Sequence, residues 1–167
     1  MSILVTGGAG FIGSHLARAL LARGETVVAL DNFNDYYDPA IKRANAAGLA
    51  RHPAFSMVEG DIRDGETVEA LFGVHDIRRV AHLAAMAGVR ESMKQPRLYY
   101  AVNLDGTLNL LDAAQRHGCE NFVLASTSSV YGETKRLPFN EEDAADRPLA
   151  PYPASKRAAE LLAHTFH

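Results

Sequence analysis

A tyrosine and a lysine four residues apart, in Tyr152-Pro153-Ala154-Ser155-Lys156, are the pair in this chain best suited to moving a proton. On a helix, positions i and i+4 share a face, so phenol and ammonium point the same way. A free phenol has a pKa of about 10, and making its phenolate at pH 7 costs roughly 4 kcal/mol. A nearby Lys⁺ favours the anion and brings it within reach of general-base work. Y-x-x-x-K alone is also what an ordinary amphipathic helix start carries by chance. Two further features support the chemical reading: a hydroxyl cluster, Ser126-Thr127-Ser128-Ser129, after an apolar run, and a glycine turn near the N-terminus.

That turn is Gly7-x-x-Gly10-x-x-Gly13, following the apolar Ile3-Leu4-Val5 and opening a helix at Phe11 and Ile12. It fits the dinucleotide fingerprint with a first gap one residue wider than G-x-G-x-x-G. A tight turn needs a residue that tolerates positive φ, and the backbone must come close to a pyrophosphate. The free N–H groups at the helix start form an anion site. Glycine-rich turns also close ordinary strand-helix connections, but here Asp31 follows Gly13 by 18 residues, ending the run Thr26-Val27-Val28-Ala29-Leu30. A carboxylate there binds the adenosine ribose hydroxyls. Asn32 comes next, Asn34 lies in the same polar loop, and no Arg or Lys occurs before Lys42. A 2′-phosphate would meet Asp31 with no basic partner, so NAD is favoured over NADP. Its positively charged nicotinamide would also favour the Tyr152 phenolate.

Stepping outward, the chain alternates strand and helix. Helices are expected over 11–23, with Phe11, Ile12, Leu16, Ala19 and Leu20 facing the sheet, and over 39–49, 67–72, 97–117 and from Tyr152. The long 97–117 helix carries Leu104, Leu108 and Leu111 at helical spacing. Glycines 24 and 118 end the first and the long helix. Strands are expected over 3–5, 26–30, 55–59, 79–83 and 121–125, and a Pro-bearing loop over 131–151. This predicts one α/β domain, a doubly wound parallel sheet of order 3-2-1-4-5 with helices on both faces.

Ligands of such sheets lie beyond the carboxyl ends of the strands. Asp61 would accept from an adenine amino group while Ile62 packs on the ring; the alternative is a helix N-cap near Arg63. Leu83, Ala84 and Ala85 are small enough to let a cofactor pass close to the sheet. Asn103 would hold the backbone of the loop after the fourth strand, or simply face solvent. Ser126 follows the fifth strand directly and is a further candidate for binding the cofactor.

The 167 residues are 47% hydrophobic, enough for a proper core. A net charge of −3, from 17 basic and 20 acidic residues mixed along the chain, gives no polybasic face, so neither nucleic acid nor an anionic membrane is an expected partner. The single Cys119 rules out an internal disulfide and suits a reducing compartment. With no signal-like start and no membrane-length apolar run, a cytoplasmic location is expected. The histidines at 15, 52, 75, 82, 117, 164 and 167 lack metal-ligand spacing; His164 and His167 share a face, but two ligands make no site. The serine cluster lacks the G-x-S-x-G elbow, which argues against a serine hydrolase.

The glycines at 7, 10 and 13, Thr127 and the Tyr152/Lys156 pair resemble the extended short-chain dehydrogenase/reductase family and its nucleotide-sugar epimerases. Asp31-Asn32-Phe33-Asn34-Asp35-Tyr36-Tyr37-Asp38-Pro39 and His82-Leu83-Ala84-Ala85-Met86-Ala87-Gly88-Val89-Arg90 are similar to UDP-glucuronate 4-epimerases. The resemblance implies a Rossmann fold in which Thr127 bonds the sugar 4-hydroxyl, Tyr152 takes its proton, and Lys156 holds the nicotinamide ribose. Hydride passes from C4 to NAD⁺ and returns to the other face of a 4-keto sugar. Related 4,6-dehydratases carry an Asp-Glu pair after the threonine, and UDP-glucuronate decarboxylases a Glu where this chain has Ser129. With serines at 128 and 129, epimerisation is expected rather than elimination, and both serines would hold the substrate carboxylate. Arg90 would serve that anion or the diphosphate, or form a salt bridge with Glu91 or a neighbour.

Extended members continue into further strands and a smaller substrate domain, which these residues do not include. The fifth strand is then expected as a raw edge, and the 97–117 and 152–167 helices resemble the pair that makes the family's homodimer. The chain is expected to bind NAD and to turn over sugar poorly or not at all alone. The alternatives are a non-catalytic NAD-binding sensor, a UDP-glucose 4-epimerase, or another nucleotide-sugar dehydratase or decarboxylase.

Overall fold

The computed structural model describes residues 1–134 and 136–166, in two compact units. The first holds residues 1–84 and 109–125, the second 85–108 and the chain from Ser126 onward.

Short β-branched and aliphatic runs build the sheet of the first unit: β1 (Ser2–Thr6), β2 (Val27–Asp31), β3 (Phe55–Glu59), β4 (Ile77–His82) and β5 (Asn121–Leu124). All neighbours pair in parallel, in the order β3-β2-β1-β4-β5, the topology expected from the alternation. Every residue of the central β1 and of β2 is buried, because the connections of a parallel sheet cover both of its faces. Helices α1 (Phe11–Ala22) and α2 (Pro39–Leu49) lie on one face, where Ile3, Val5, Val27 and Ala29 pack with Ala17, Leu21 and Leu49. With this strand order, the handedness rule for parallel crossovers puts α3 (Gly65–Val74) and the C-terminal part of the helix before β5 on the other face. There Glu69 pairs with Arg116 and His117, and Phe72 packs on His117. β5 is terminal in the sheet, with Val123 58% exposed.

The inward face of α1 matches expectation at Leu16 and Leu20, which pack against the core, and differs elsewhere. Gly13, Ser14, Ala17 and Leu21 are buried, Leu16 and Leu20 only partly, while Ala19 is exposed and Phe11 and Ile12 are 75% and 65% exposed. The small residues face inward because the helix starts too close to the glycine turn to admit a side chain, and this turns Phe11 and Ile12 outward. Paired closing hydrogen bonds end α1 and the helix before β5: Glu25 N–H to Leu20 C=O with Gly24 N–H to Leu21 C=O, and Cys119 N–H to Ala114 C=O with Gly118 N–H to Gln115 C=O.

The single helix expected over 97–117 is present as a continuous helical run from Pro96 to Arg116, with a π-helical turn inside it. An unpredicted α4 (Val89–Lys94) precedes α5 (Pro96–Tyr100), with proline at its first turn; a π-helical turn (Ala101–Asp105) and α6 (Gly106–Arg116) follow. The π turn shifts the helical phase, so Leu108 is 42% exposed while Asn103, Thr107, Leu110 and Leu111 are buried. The second unit also holds a 3₁₀ turn (Ser128–Tyr131) and α7 (Pro151–His164), which opens one residue earlier than expected, on Pro151. None of the helices among the described residues is long and apolar enough to cross a membrane.

Candidate functional site

In the first unit, the turn from β1 into α1 leaves no room for side chains. Gly7 has φ +67°, and a Cβ there would stand 3.0 Å from the Ala84 nitrogen. At Gly13 a Cβ would come within 2.2 Å of the Gly7 carbonyl oxygen, so helix and turn can approach only with glycine at that position. The N-cap Gly10 offers no side-chain cap, and the N–H groups of Phe11, Ile12 and Gly13 belong to a first turn without intrahelical acceptors. This is a main-chain cradle suited to an anion.

Thr6 and His82, which sequence reasoning passed over, shape its floor. The buried Thr6 Oγ1 accepts from the N–H groups of Leu83 and Ala84, both at 3.1 Å, and lies 2.7 Å from His82 Nδ1. With its lone pairs taken, the hydroxyl gives its proton to Nδ1, which assigns the ring proton of His82 to Nε2. Their sequence signal was weak: a threonine and a histidine, each ending an apolar strand.

Asp31 is 6% exposed at the end of β2. Its carboxylate accepts from Ala9 N–H (3.2 Å) and Phe33 N–H (2.9 Å), and Lys42 Nζ stands 3.4 Å from Oδ1. The expectation that Asp31 has no basic neighbour therefore fails in space. Pro39 starts α2 just beyond the loop, so residue 42 returns inward, 6% exposed, and also donates to Asn34 Oδ1 at 2.8 Å. Only a structure reveals this, because the separation of eleven residues carries no local signature. Asn32 Oδ1 accepts from Asn34 N–H, and its Nδ2 donates to Asp61 at 2.9 Å.

Asp61 also accepts from the main-chain N–H and the guanidinium of Arg63, the shortest contact being 2.7 Å. The guanidinium hydrogen bonds hold its pKa at about 2, against desolvation. The N-cap of α3 is Asp64, not Asp61, and accepts from Glu66 N–H and Thr67 N–H. Ile62 is 5% exposed and its carbonyl accepts from Asn109.

In the second unit, Asn103 is 1% exposed within the π turn. Its Oδ1 accepts from Met86 N–H (2.8 Å), and Nδ2 donates to Met86 C=O (2.9 Å) and Ser155 Oγ (3.0 Å). The Ser155 hydroxyl donates to the carbonyl of Tyr152. The amide thus fixes the segment just after Ala85 to the first turn of α7. Tyr99 donates to Ala87 C=O and packs edge-on against Tyr152, 6.2 Å between centroids. Lys156 is 3% exposed with no hydrogen-bond partner among the described residues. Burial lowers its pKa to about 8, opposed by the charge of Glu160.

Thr127 N-caps the 3₁₀ turn, its Oγ1 accepting from Ser129 N–H at 3.2 Å, which leaves the hydroxyl proton free to donate. Thr127 and Ser128 line a cleft of about 540 Å³ with Ser126, Tyr131, Arg157 and Glu160. Ser126 Oγ donates to Glu160, which also accepts from Arg157 at 2.6 Å. Ser129 is half-buried, and Arg90 is exposed on α4. Glu91 pairs with Lys94 and not with Arg90, so the suggested Arg90–Glu91 salt bridge is absent among the described residues. No group of three or more His, Cys, Asp or Glu suited to a metal occurs among them either, and His167, considered beside His164, lies outside them.

The chain is 47% identical over its whole length to UDP-glucuronate 4-epimerase 6 of Arabidopsis thaliana, of which it covers 36%. The crystal structure of UDP-glucuronic acid 4-epimerase from Bacillus cereus, in complex with UDP-glucuronic acid and NAD, matches all of the chain at 39% identity with a TM-score of 0.90; the chain covers 52% of that protein. A Thermus thermophilus UDP-glucose 4-epimerase in complex with NAD matches 99% of the chain at 41% identity and TM-score 0.87, with 50% of that protein covered. The chain thus spans between about a third and a half of the length of these relatives. The family described as GDP-mannose 4,6 dehydratase matches residues 4–167, nearly the entire chain, and the chain belongs to that family.

Proposed function

We propose that this chain provides the NAD-binding part and the proton-handling residues of a nucleotide-sugar 4-epimerase, with UDP-glucuronate and UDP-galacturonate as its substrate pair. The observation that carries the reading is Lys156, buried one helical turn from Tyr152 with no hydrogen-bond partner among the described residues. A burial this costly serves no purpose in a passive dinucleotide-binding module, and it weighs against the sensor alternative.

The glycine cradle and Asp31 fit the diphosphate and adenosine ribose of NAD, because they offer main-chain donors where a Cβ would clash and a buried carboxylate at the strand end. Asn32, Asp61 and Ile62 would shape the adenine end. NAD, when bound, supplies a reversible hydride acceptor for C4 of the sugar. Tyr152 would take the proton of the 4-hydroxyl, assisted by the Lys156 ammonium, and Thr127 would orient that hydroxyl through its free proton. Ser128 and Ser129, with no carboxylate at either position, would hold the sugar's carboxylate and leave elimination without its acid and base. Arg90 is proposed for the same anion or the diphosphate. The exposed Tyr100 of α5, Leu108 of α6 and Leu161 of α7 mark the proposed homodimer face.

The test is an assay of the complete polypeptide with a panel of UDP-sugars, following both the C4 epimer and released CO₂. UDP-glucuronate should be epimerised without CO₂, and Tyr152→Phe should lower kcat by about 10²–10⁴, the range for a general acid–base. Preference for another sugar would overturn the substrate, and CO₂ release the reaction. Residues 1–167 alone should bind NAD yet give little turnover; robust epimerisation by them would refute that division of labour.

A further inference from the structure

The loop between β2 and α2 carries a tyrosine to the mouth of the glycine cradle. The Tyr37 hydroxyl oxygen stands 3.7 Å from the point a Cβ on Gly10 would occupy. The residue is fixed from the other side by Lys42, whose Nζ lies 5.2 Å from the ring centroid while pairing with Asp31. Asp38 begins the next helix by accepting from Ala40 N–H, which closes the loop one residue later. The phenol is therefore held at both ends although 37% of the residue is exposed.

From this placement we infer that Tyr37 is a side-chain ligand for the diphosphate of the cofactor, adding an O–H donor to the main-chain N–H groups of α1. The inference rests on the NAD-binding reading above and extends it to a residue outside the glycine fingerprint. The Phe11 N–H donates to the Tyr37 hydroxyl oxygen, which ties the phenol to the first turn of α1 and leaves its own proton to be donated. An oxygen anion seated at the start of α1 is the acceptor that such an O–H suits best. Burial and the negative charge of Asp31 raise the pKa of the phenol, opposed by the Phe11 main chain, so it stays a protonated donor near neutral pH. Phenylalanine keeps the ring over Lys42 and removes only the donor.

Calorimetric titration of the wild type and Tyr37→Phe with NAD, ADP and adenosine separates the possibilities. The variant should bind NAD and ADP about tenfold more weakly, about 1.4 kcal/mol, and adenosine unchanged. Unchanged or tighter NAD binding would overturn the role of Tyr37 and leave the cofactor assignment standing. An equal loss for all three ligands would also overturn it, by exposing general damage to the loop. A wild type that binds neither NAD nor ADP would sink the cofactor assignment itself, and the Tyr37 role with it. Tyr36→Phe, one residue away and 48% exposed, should bind all three ligands as the wild type does.

Discussion

Among the described residues each unit of this molecule buries one lysine, and the two are buried for opposite reasons. Lys42, 6% exposed in the first unit, has a carboxylate at 3.4 Å and an amide oxygen at 2.8 Å. Lys156, 3% exposed in the second, has no hydrogen-bond partner among the described residues, and desolvation brings its pKa down to about 8. A buried cation with partners is part of the architecture: it neutralises Asp31 and ties α2 to the end of β2. A buried cation without partners is a liability that folding tolerates, and such liabilities collect where chemistry uses them. The contrast also shows what a lysine's burial means: nothing, until its partners are counted.

The largest expected effect tests the paired lysine. Lys42→Met keeps the stem's volume and leaves Asp31 buried with two main-chain donors but no cation. Breaking a buried pair from one side typically costs 3–5 kcal/mol, and the remaining donors place this case near about 3. Chemical denaturation of the variant should show that loss; a cost below 1 kcal/mol would mean that the pair is incidental.

The unpaired lysine should respond with the opposite sign. The folded pKa of Lys156 is lowered from 10.5 to about 8, so between those values the unfolded chain binds more protons and stability rises with pH. Below pH 8 both states are protonated and the full penalty of burying the charge is present, on the order of 3 kcal/mol from the shift. Lys156→Met should therefore stabilise the protein at neutral pH by up to about that amount. It should also erase the rise in stability between pH 8 and 10.5. A variant less stable than the wild type at pH 7 would show that the ammonium has a partner after all.

How much of this was legible in the sequence follows from the range of each interaction. The sheet order came through because alternating apolar runs and handed crossovers constrain topology, whatever the side chains do in detail. The glycine turn and the Tyr152/Lys156 spacing were readable because each depends on residues within a turn or two. Lys42 was not, since its approach to Asp31 depends on how a loop of seven residues folds back. The misplacing of Phe11 and Ile12 on α1 has a similar origin: hydrophobicity named them, while the close approach of Gly13 decided the rotation; Leu16 and Leu20 do pack on the core. The π turn hid inside a sequence that reads as continuous helix, because Asn103 earns its place through Met86 and Ser155, 17 and 52 residues away.

Asp61 and Arg63 supply the third member of the comparison, a pair neither buried nor alone. The guanidinium makes two hydrogen bonds to the carboxylate and holds its pKa at about 2, below the ordinary 3.8. A depressed carboxylate contributes stability above the unfolded pKa and loses it as pH falls through the folded one, so the effect fades from about pH 4 to pH 2. Taken at face value the shift would rival the Lys156 penalty. Arg63 is 44% exposed and Asp61 24%, however, and solvent screening reduces such pairs to about 0.2–1 kcal/mol. Asn32 Nδ2 and the Arg63 main-chain N–H would still hold the carboxylate if the guanidinium were removed. Arg63→Ala should therefore cost about 0.5 kcal/mol at pH 7, with a still smaller difference at pH 2 and in 1 M salt. A loss above 2 kcal/mol that salt leaves untouched would place this pair with Lys42 and Asp31, and would make partner count rather than burial the better guide to the energetics of charge in this protein.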